Sequence, residues 1–262
     1  MTFSPEMKIS KFGFGCSRLF SERNEKISYD LIEQCLNSGI SHFDTAPSYG
    51  TEKLLGRVLG NNNNITIATK VGIKRKEISK EANYLKKIIL SSKKKIIEKF
   101  PIAKNKILKN FYKTTDYRIN EKRKLSKEEI ILELEISLKN LKRDNVDILL
   151  IHEPDQFFLD DELYETLNGI KKDGYIKEYG LGYGRSEVDH NFGKVVQQKY
   201  SKNNVFFKDK INIYHGLLRN LLNENKRDFN LYDAFRNISK EHKDSYFLFS
   251  ASRAEKIKRL MD

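Results

Sequence analysis

Tryptophan is absent from this 262-residue chain, which contains only two cysteines and four prolines. Cys16 and Cys35 lack the short spacing of metal ligands, so we predict no metal site, and two cysteines are too few for a disulfide scaffold. No apolar run approaches the roughly 20 residues that a membrane-spanning helix requires. The N-terminal residues MTFSPEMKIS show no apolar signal-peptide core. We therefore expect a cytoplasmic protein in a reducing compartment.

The positive charge of the chain is concentrated in one segment. Residues 74–125 hold 18 Lys and Arg against 5 Asp and Glu, whereas the rest of the chain holds 31 of each, so this segment accounts for the net charge of +13. Its apolar residues allow one or two amphipathic helices, and we predict a basic, partly helical insertion. Long connections of this kind are usually functional. An anionic substrate or an acidic partner is the expected contact. We do not expect the segment to bind nucleic acid, because it lacks regularly spaced aromatic residues.

Outside this segment, short apolar stretches alternate with amphipathic ones. One predicted helix follows Ser126 and Glu129, which form an S-x-x-E capping box. Alternating strands and helices favour a parallel sheet. Eight strands indicate an α/β fold, the (β/α)8 TIM barrel, formed by residues 1–262 as a single domain with residues 74–125 inserted after the third strand. The predicted strands read KFGFGC, SHFDTA, ITIATK, VDILLIH, IKEYGLG, KVVQQKY, KINIYHG and SYFLFSA.

Four polar residues stand where apolar segments end. Asp44 and Tyr49 lie in SHFDTAPSYG, Lys70 in ITIATKVG and His152 in VDILLIHEPD. In a barrel of parallel strands, the side chains at the carboxyl ends of the strands converge on one mouth, where active sites form. The spacing therefore predicts one pocket that holds a carboxylate, a phenol, an amine and an imidazole.

Four segments, taken in order, resemble the aldo-keto reductases, the first of them being the continuous stretch SGISHFDTAPSYGTEKLLGRVLG. The resemblance implies a (β/α)8 barrel that binds NADPH in an extended conformation without a Rossmann domain, and that catalyses reversible carbonyl reduction. The chain also resembles a short bacterial subgroup linked with surface-polysaccharide and sugar pathways, which implies a sugar-derived carbonyl as substrate. The other three segments that carry the resemblance are ATKVG, ISLKNLKRDNVDILLIHEPD and IKKDGYIKEYGLG.

The resemblance assigns the four polar residues to the catalytic set of the family. Tyr49 is the implied general acid, since a proton donor must meet the carbonyl oxygen. Lys70 is expected to favour the phenolate and to lower the pKa of the phenol, while Asp44 holds Lys70 in place. His152 is expected to orient the substrate oxygen. Each residue taken singly has a structural explanation, but their order and context together favour catalysis.

Five further residues resemble the cofactor contacts of the family. Ser252, Arg253 and Lys256 are expected to face the 2′-phosphate of NADPH near a helix N-terminus, which favours NADPH over NADH. Gln197 is expected to bind the nicotinamide carboxamide, and Tyr214 to stack on the nicotinamide ring. Two alternatives stay open. The S-x-x-E pattern makes Ser252 a possible helix cap, and Tyr214 is also compatible with a core position.

The chain departs from the family at the end of the fifth strand. There the segment GLGYG places Gly182 and Tyr183 where Ser-Asn is usual, which removes two side-chain hydrogen bonds to the nicotinamide amide. Either the cofactor binds less tightly or backbone groups compensate. Two other functions remain open. One is a non-catalytic module that senses cofactor or binds a partner through residues 74–125, and the other is sugar dehydration or isomerisation through a transient oxidation.

Overall fold

The chain folds into a closed barrel of eight parallel strands, as the sequence predicts. The computed structural model describes residues 7–19, 25–73, 122–184, 192–204, 206–224 and 230–261. Each strand pairs in parallel with the next one along the chain, and β8 pairs with β1 to close the barrel. The strands are β1 (Phe12–Gly15), β2 (His42–Asp44), β3 (Thr66–Val71), β4 (Val146–His152), β5 (Ile176–Gly182), β6 (Val195–Lys199), β7 (Ile211–His215) and β8 (Ser245–Phe249).

The described ranges contain seven α-helices. The predicted capping box begins α3, where the Glu129 backbone N–H donates to Ser126 Oγ (3.2 Å) and the Ser126 N–H donates to the Glu129 carboxylate (3.0 Å). No helix in these ranges is long and apolar enough to cross a membrane. The helices are α1 (Glu25–Asn37), α2 (Glu52–Val58), α3 (Lys127–Leu141), α4 (Asp161–Lys172), α5 (Leu217–Glu224), α6 (Leu231–Glu241) and α7 (Ala254–Met261).

Two apolar clusters follow from the alternation of side chains along the strands. Side chains that point outward, such as Phe43 and Leu149, pack with buried helix residues such as Leu31 and Ile32. Fully burying one such side chain contributes about 1.5–3 kcal/mol. Inward-pointing side chains form a separate layer that fills the barrel interior. This inner layer consists of Ala68, Ile148, Leu150, Val195, Ile213 and Leu248.

The basic segment leads from β3 to α3, and most of it, residues 74–121, lies outside the described residues. The one or two helices predicted for this segment therefore remain untested. The last residues of the segment attach to the loop after β4. The Arg123 N–H donates to the Gln156 carbonyl (2.9 Å), and the Phe158 N–H donates to the Arg123 carbonyl (3.1 Å). The segment thus returns to the barrel at the carboxyl end of β4.

Two helical glycines provide a test of the packing between helices. A Cβ at Gly56 on α2 would lie 2.1 Å from the Asn140 carbonyl oxygen on α3, whereas a Cβ at Gly169 on α4 would meet no atom within 4 Å. Because alanine is the better helix former, we expect Gly169→Ala to stabilise the protein by up to about 1 kcal/mol. Overpacking should make Gly56→Ala destabilising by about 1–3 kcal/mol. Urea unfolding of both variants checks these opposite signs, and equal effects would contradict the close approach of α2 and α3.

Candidate active site

The polar side chains at the mouth of the barrel lie one step above the apolar layer. Those on β3, β4, β6 and β7 lie two residues beyond an apolar residue of the inner layer, so they point to the same side of their strands. Asp44 on β2 lies two residues beyond the buried His42. The strands are parallel and staggered, so that Asp44 pairs with Ala68 and Lys70 pairs with Leu150. With this stagger the polar positions form a ring at the carboxyl ends of the strands. The ring includes Asp44, Lys70, His152, Gln197 and His215, together with Gly15, Gly182 and Ser250.

The ring forms the floor of a cavity of about 600 Å³. Tyr49 closes one side of the cavity, next to the floor residues Lys70 and His152. The walls carry an unequal charge, with five basic side chains and two acidic ones. The basic ones are Arg18, Lys70, Lys199, Arg219 and Lys256, and the acidic ones are Asp44 and Glu153. Such a cavity favours anionic or polar ligands.

A buried ion pair joins β2 and β3 at the floor. Lys70 Nζ donates to Asp44 Oδ1 (2.5 Å) and to the Thr45 carbonyl (2.9 Å), and the two charged residues are only 1% and 5% exposed. Burial has the largest single effect and lowers the pKa of Lys70, but Asp44, through its charge and its hydrogen bond, and Tyr49 together with Cys16 outweigh burial, so the pKa is raised. Lys70 is therefore charged at neutral pH. Asp44 Oδ1 also accepts a hydrogen bond from Gln197 Nε2 (2.7 Å), so one carboxylate oxygen ties three strands together.

Tyr49 lies at the end of the short 3-10 turn Pro47–Tyr49, which follows β2 and ends at Gly50 with φ 71°. The Tyr49 ring centroid is 5.3 Å from Lys70 Nζ and 6.0 Å from the His152 ring. Lys70 is the strongest single influence on the phenol and lowers its pKa, but burial and the negative charge of Asp44 together outweigh it. The net pKa of Tyr49 is raised. Lys70 thus has the expected effect on the phenol, but the net shift is upward, because the sequence does not reveal how deeply the phenol is buried.

His152 ends β4 and faces the cavity beside Tyr49. Burial, and after it the charge of Lys70, lowers the pKa of His152 to about 3. The imidazole is therefore neutral at physiological pH, when it can both donate and accept a hydrogen bond. Asp44, Tyr49, Lys70 and His152 thus meet at one cavity, with a fixed ammonium, a protonated phenol and a neutral imidazole around the same space.

The residues expected at the cofactor are only partly gathered at the cavity. Gln197, Ser252 and Lys256 line it, whereas Arg253 is exposed and is not part of its wall. Helix α7 begins at Ala254. The cap position directly before the helix is Arg253, and Ser252 lies one residue further away. Ser252 is therefore not the helix cap that the S-x-x-E pattern suggested.

Tyr214 does not face the cavity. It is 1% exposed and packs against Tyr200, His242 and Phe247, behind the sheet. Ile213 points into the barrel, so its neighbour Tyr214 must point outward. The structure thus places Tyr214 in the core, which was the alternative to stacking on the nicotinamide ring. His215 is the residue of β7 that reaches the cavity.

The two residues in place of the usual Ser-Asn behave differently. Gly182 faces the cavity, and a Cβ there would make ordinary contacts with Leu150 (3.4 Å) and Gln197 Oε1 (3.6 Å), so a serine would fit. The Tyr183 side chain is buried. The Tyr183 N–H donates to the Gln197 carbonyl (2.8 Å), and the Tyr183 carbonyl accepts from His215 Nε2 (2.7 Å). These backbone groups are therefore engaged within the protein.

Many residues of the cavity wall escaped the interpretation of the sequence, among them Arg18, Glu153 and His215. Two of these three carried a readable signal. His215 is in step with the apolar Ile213, and Glu153 directly follows His152. Arg18 belongs to the 3-10 turn Cys16–Arg18 after β1, whose position above the mouth is set by the fold alone. Among the described residues, no group of three or more His, Cys, Asp or Glu side chains is placed to hold a metal ion.

Comparisons with known proteins identify the family and the fold of the chain. The model of the Aldo/keto reductase family matches residues 11–191. The uncharacterized oxidoreductase YcsN of Bacillus subtilis is 30% identical over 158 residues, which are 58% of this chain and 41% of the relative. The 6-dehydroglucose reductase of Agrobacterium fabrum is 25% identical over 191 residues, 69% of this chain and 52% of the relative. The chain thus spans about half the length, or less, of these curated relatives.

Solved structures share the fold across nearly the whole chain. The aldo-keto reductase AKR11C1 of Bacillus halodurans, in its holo form, superposes with a TM-score of 0.61 at 18% identity, covering 98% of this chain and 87% of the other. The glycerol dehydrogenase AKR11B4 of Gluconobacter oxydans gives a TM-score of 0.60 at 17% identity, with the same coverage of 98% and 87%. At such identities the likeness concerns the fold alone.

The buried pair gives a stability prediction. Asp44→Asn removes the carboxylate and leaves the Lys70 ammonium buried without its counter-ion, so we expect a loss of about 3–5 kcal/mol in the free energy of unfolding. The exposed pair between Arg57 and Glu25 is the control, because Glu25→Gln should cost less than about 1 kcal/mol. Urea unfolding at pH 7 measures both. A cost for Asp44→Asn as small as that of the control would contradict a buried, charged Lys70.

Proposed function

The chain belongs to the aldo/keto reductase family, and from this premise we propose that it is an oxidoreductase that reduces a carbonyl group with NADPH. One observation carries the proposal. The buried Lys70–Asp44 pair, with Lys70 Nζ 5.3 Å from the Tyr49 ring centroid, lies at the floor of a cavity that His152 also faces. A phenol beside a fixed ammonium and a neutral imidazole suits proton donation to a developing alkoxide.

The cavity has features that fit a dinucleotide phosphate. The amide of Gln197 lies at its floor, where it would meet a nicotinamide carboxamide. Gly182 leaves open space above the floor, since only ordinary contacts would surround a side chain there. Arg219 on α5 and Lys256 on α7 provide positive charge further along the wall, where phosphate groups would lie. Ser252 is the hydroxyl nearest to Lys256 in the chain and lines the same wall.

In the proposed reaction a bound reduced nicotinamide supplies the hydride. Tyr49 donates its proton to the carbonyl oxygen as negative charge develops there. Lys70 stabilises the phenolate that is left, and Asp44 keeps Lys70 charged and in position. His152, neutral because burial lowers its pKa, donates a hydrogen bond that orients the carbonyl oxygen. The apolar layer under the ring excludes water from the floor, which strengthens these electrostatic effects.

The substrate class that we favour is an aldehyde or ketone derived from a sugar. One relative of this chain is a 6-dehydroglucose reductase, and the wall of the cavity is rich in polar and charged side chains. Polar walls suit a hydroxylated substrate better than an aliphatic one. We also propose that the basic segment, residues 74–125, contacts an anionic substrate or an acidic partner.

A second candidate is a non-catalytic module that senses the cofactor or binds a partner. The observation that favours it is the replacement of Ser-Asn by Gly182 and Tyr183, whose backbone groups are engaged within the protein. Such a module would bind NADPH without consuming it. Net consumption of NADPH with an aldehyde therefore separates the two candidates, and it also separates reduction from isomerisation.

Removal of the phenolic hydroxyl tests the catalytic role of Tyr49. We expect Tyr49→Phe to lower kcat for NADPH-dependent reduction of DL-glyceraldehyde by about 10²-fold to 10⁴-fold, because general acid catalysis contributes this much. Tyr164→Phe, on the exposed face of α4, is the matched control and should keep the wild-type rate. Absorbance at 340 nm follows both reactions. Full activity of Tyr49→Phe would refute the assigned mechanism.

Charge reversal on α7 tests the preference for NADPH. We expect Lys256→Glu to raise the Kd for NADPH roughly tenfold, because it removes a charged contact to the 2′-phosphate and adds repulsion. The Kd for NADH, which lacks this phosphate, should change little. Lys258→Glu makes the same charge change on the same helix outside the cavity wall and serves as the control. Fluorescence titration measures the Kd of each variant for NADPH and for NADH. If Lys256→Glu weakened the binding of both nucleotides equally, this role of Lys256 would be wrong.

A further inference from the structure

Glu153 has an uncommon backbone conformation at the edge of the candidate active site. Its φ is 53° and its ψ is 64°, in the left-handed region that residues other than glycine rarely adopt. It also precedes Pro154, and a residue before proline ordinarily takes an extended conformation. Among the described residues the other non-glycine residue with positive φ is Lys142, which ends α3, where this conformation is common. Glu153 has no such helix end to explain its conformation.

Hydrogen bonds from two sides hold Glu153 in this conformation. Its backbone N–H donates to the Gly182 carbonyl at the end of β5 (2.9 Å), and its carbonyl accepts from the Gln156 N–H (3.2 Å). The strained backbone directs the side chain to the cavity, where Glu153 is one of the wall residues. Strain that the surrounding structure maintains is typical of residues that bind ligands or take part in catalysis.

A glycine provides the space that the carboxylate occupies. A Cβ at Gly184, in the loop after β5, would come within 2.3 Å of Glu153 Oε1. Any other residue at 184 would therefore push the carboxylate away from its present place. The position of the Glu153 carboxylate thus depends on its own backbone and on a glycine 31 residues further along the chain.

The carboxylate of Glu153 is available to a ligand. Within the part of the chain that the structure describes, no ion pair or side-chain hydrogen bond engages it. Its charge is close enough to raise the pKa of Tyr49 and to oppose the lowering of the pKa of His215, so it lies near the reacting end of the cavity. A partner for this carboxylate must bring hydrogen-bond donors. The five basic side chains of the wall disfavour a cationic donor, so the partner is a neutral one. Hydroxyl groups are the neutral donors that the proposed sugar-derived substrate carries.

We propose that Glu153 is a specificity-determining residue that accepts hydrogen bonds from hydroxyl groups next to the carbonyl of a polyhydroxylated substrate. This inference rests on the proposed carbonyl reduction and names the group that selects among substrates. A site built to bind hydroxyl groups rejects analogues that lack them, because its carboxylate would then lose its water without gaining a partner. Glu153 therefore acts on the choice of substrate, while Tyr49 and His152 act on the carbonyl oxygen.

Two aldehydes of equal chain length test the inference: DL-glyceraldehyde, with two hydroxyl groups, and propanal, with none. The measured quantity is the ratio of kcat/KM for glyceraldehyde to kcat/KM for propanal, with NADPH. We expect Glu153→Gly to lower this ratio by about tenfold or more, mainly through KM for glyceraldehyde, since a hydrogen bond to a charged group is lost. Glu153→Gln keeps an acceptor oxygen and should give a smaller decrease. Because the ratio is compared between variants, hydration of the aldehydes cancels.

Gly184→Ala provides an independent test, because it displaces the carboxylate without removing it. It should lower the same ratio, and it should add nothing when it is combined with Glu153→Gly, since the two changes act through one group. Glu165 is an exposed glutamate on α4, and the control variant Glu165→Gln should keep the wild-type ratio. Glu153→Gly should also unfold at the same temperature as the wild type or above it, because glycine relieves the backbone strain. A carboxylate with a merely structural role would give a lower unfolding temperature.

The outcomes separate this inference from the proposed function. Turnover of both aldehydes with a ratio that Glu153→Gly and Gly184→Ala leave unchanged would overturn the inference and leave the reductase function standing. Absence of turnover with either aldehyde in the wild type, although NADPH binds, would overturn the proposed function and the inference with it. A ratio that falls in both single variants and no further in the double variant supports the role of Glu153.

Discussion

The buried ion pair between Lys70 and Asp44 is the interaction on which the rest of the site depends. Removing two charges from water costs several kcal/mol for each ion, so the pair is stable only with short, well-directed hydrogen bonds. Lys70 has them, to Asp44 Oδ1 at 2.5 Å and to the Thr45 carbonyl at 2.9 Å. The same oxygen of Asp44 fixes the amide of Gln197. The charge of Lys70 in turn helps to lower the pKa of His152 and keeps the imidazole neutral.

The barrel can hold this pair because its strands are parallel and form a closed sheet. In such a sheet every second residue points inward, so the apolar residues Ala68 and Leu150 lie directly below Lys70 and His152 in their strands. The apolar layer excludes water from one side of the ion pair. The glycines Gly15 and Gly182 occupy the same level on two other strands and leave the space that becomes the cavity. Stability and the open site therefore arise from one pattern of alternation.

Much of this arrangement could be predicted from the sequence, and the remainder depended on burial and on tertiary contacts. Apolar runs ending in Lys70 and His152 identified their strands and the side of the barrel where they meet. The same alternation, applied to β7, would have placed His215 in the cavity and Tyr214 in the core. The raised pKa of Tyr49 could not be predicted, because it is a balance between an ammonium and the depth of burial. The conformation of Glu153 could not be predicted either, since a hydrogen bond from β5 maintains it.

The direction of the pKa shift of Tyr49 bears on the proton transfer in the proposed reaction. A phenol whose pKa is raised keeps its proton at neutral pH, and is then ready to donate it to a carbonyl oxygen. Oxidation of an alcohol would require the phenolate as the base, and this form becomes populated only at a pH near or above the raised value. Lys70 opposes the shift and limits its size, so the phenolate formed after proton donation is less unfavourable than burial alone would make it. The protonation state that Tyr49 has near neutral pH is therefore the one that proton donation to a carbonyl oxygen requires.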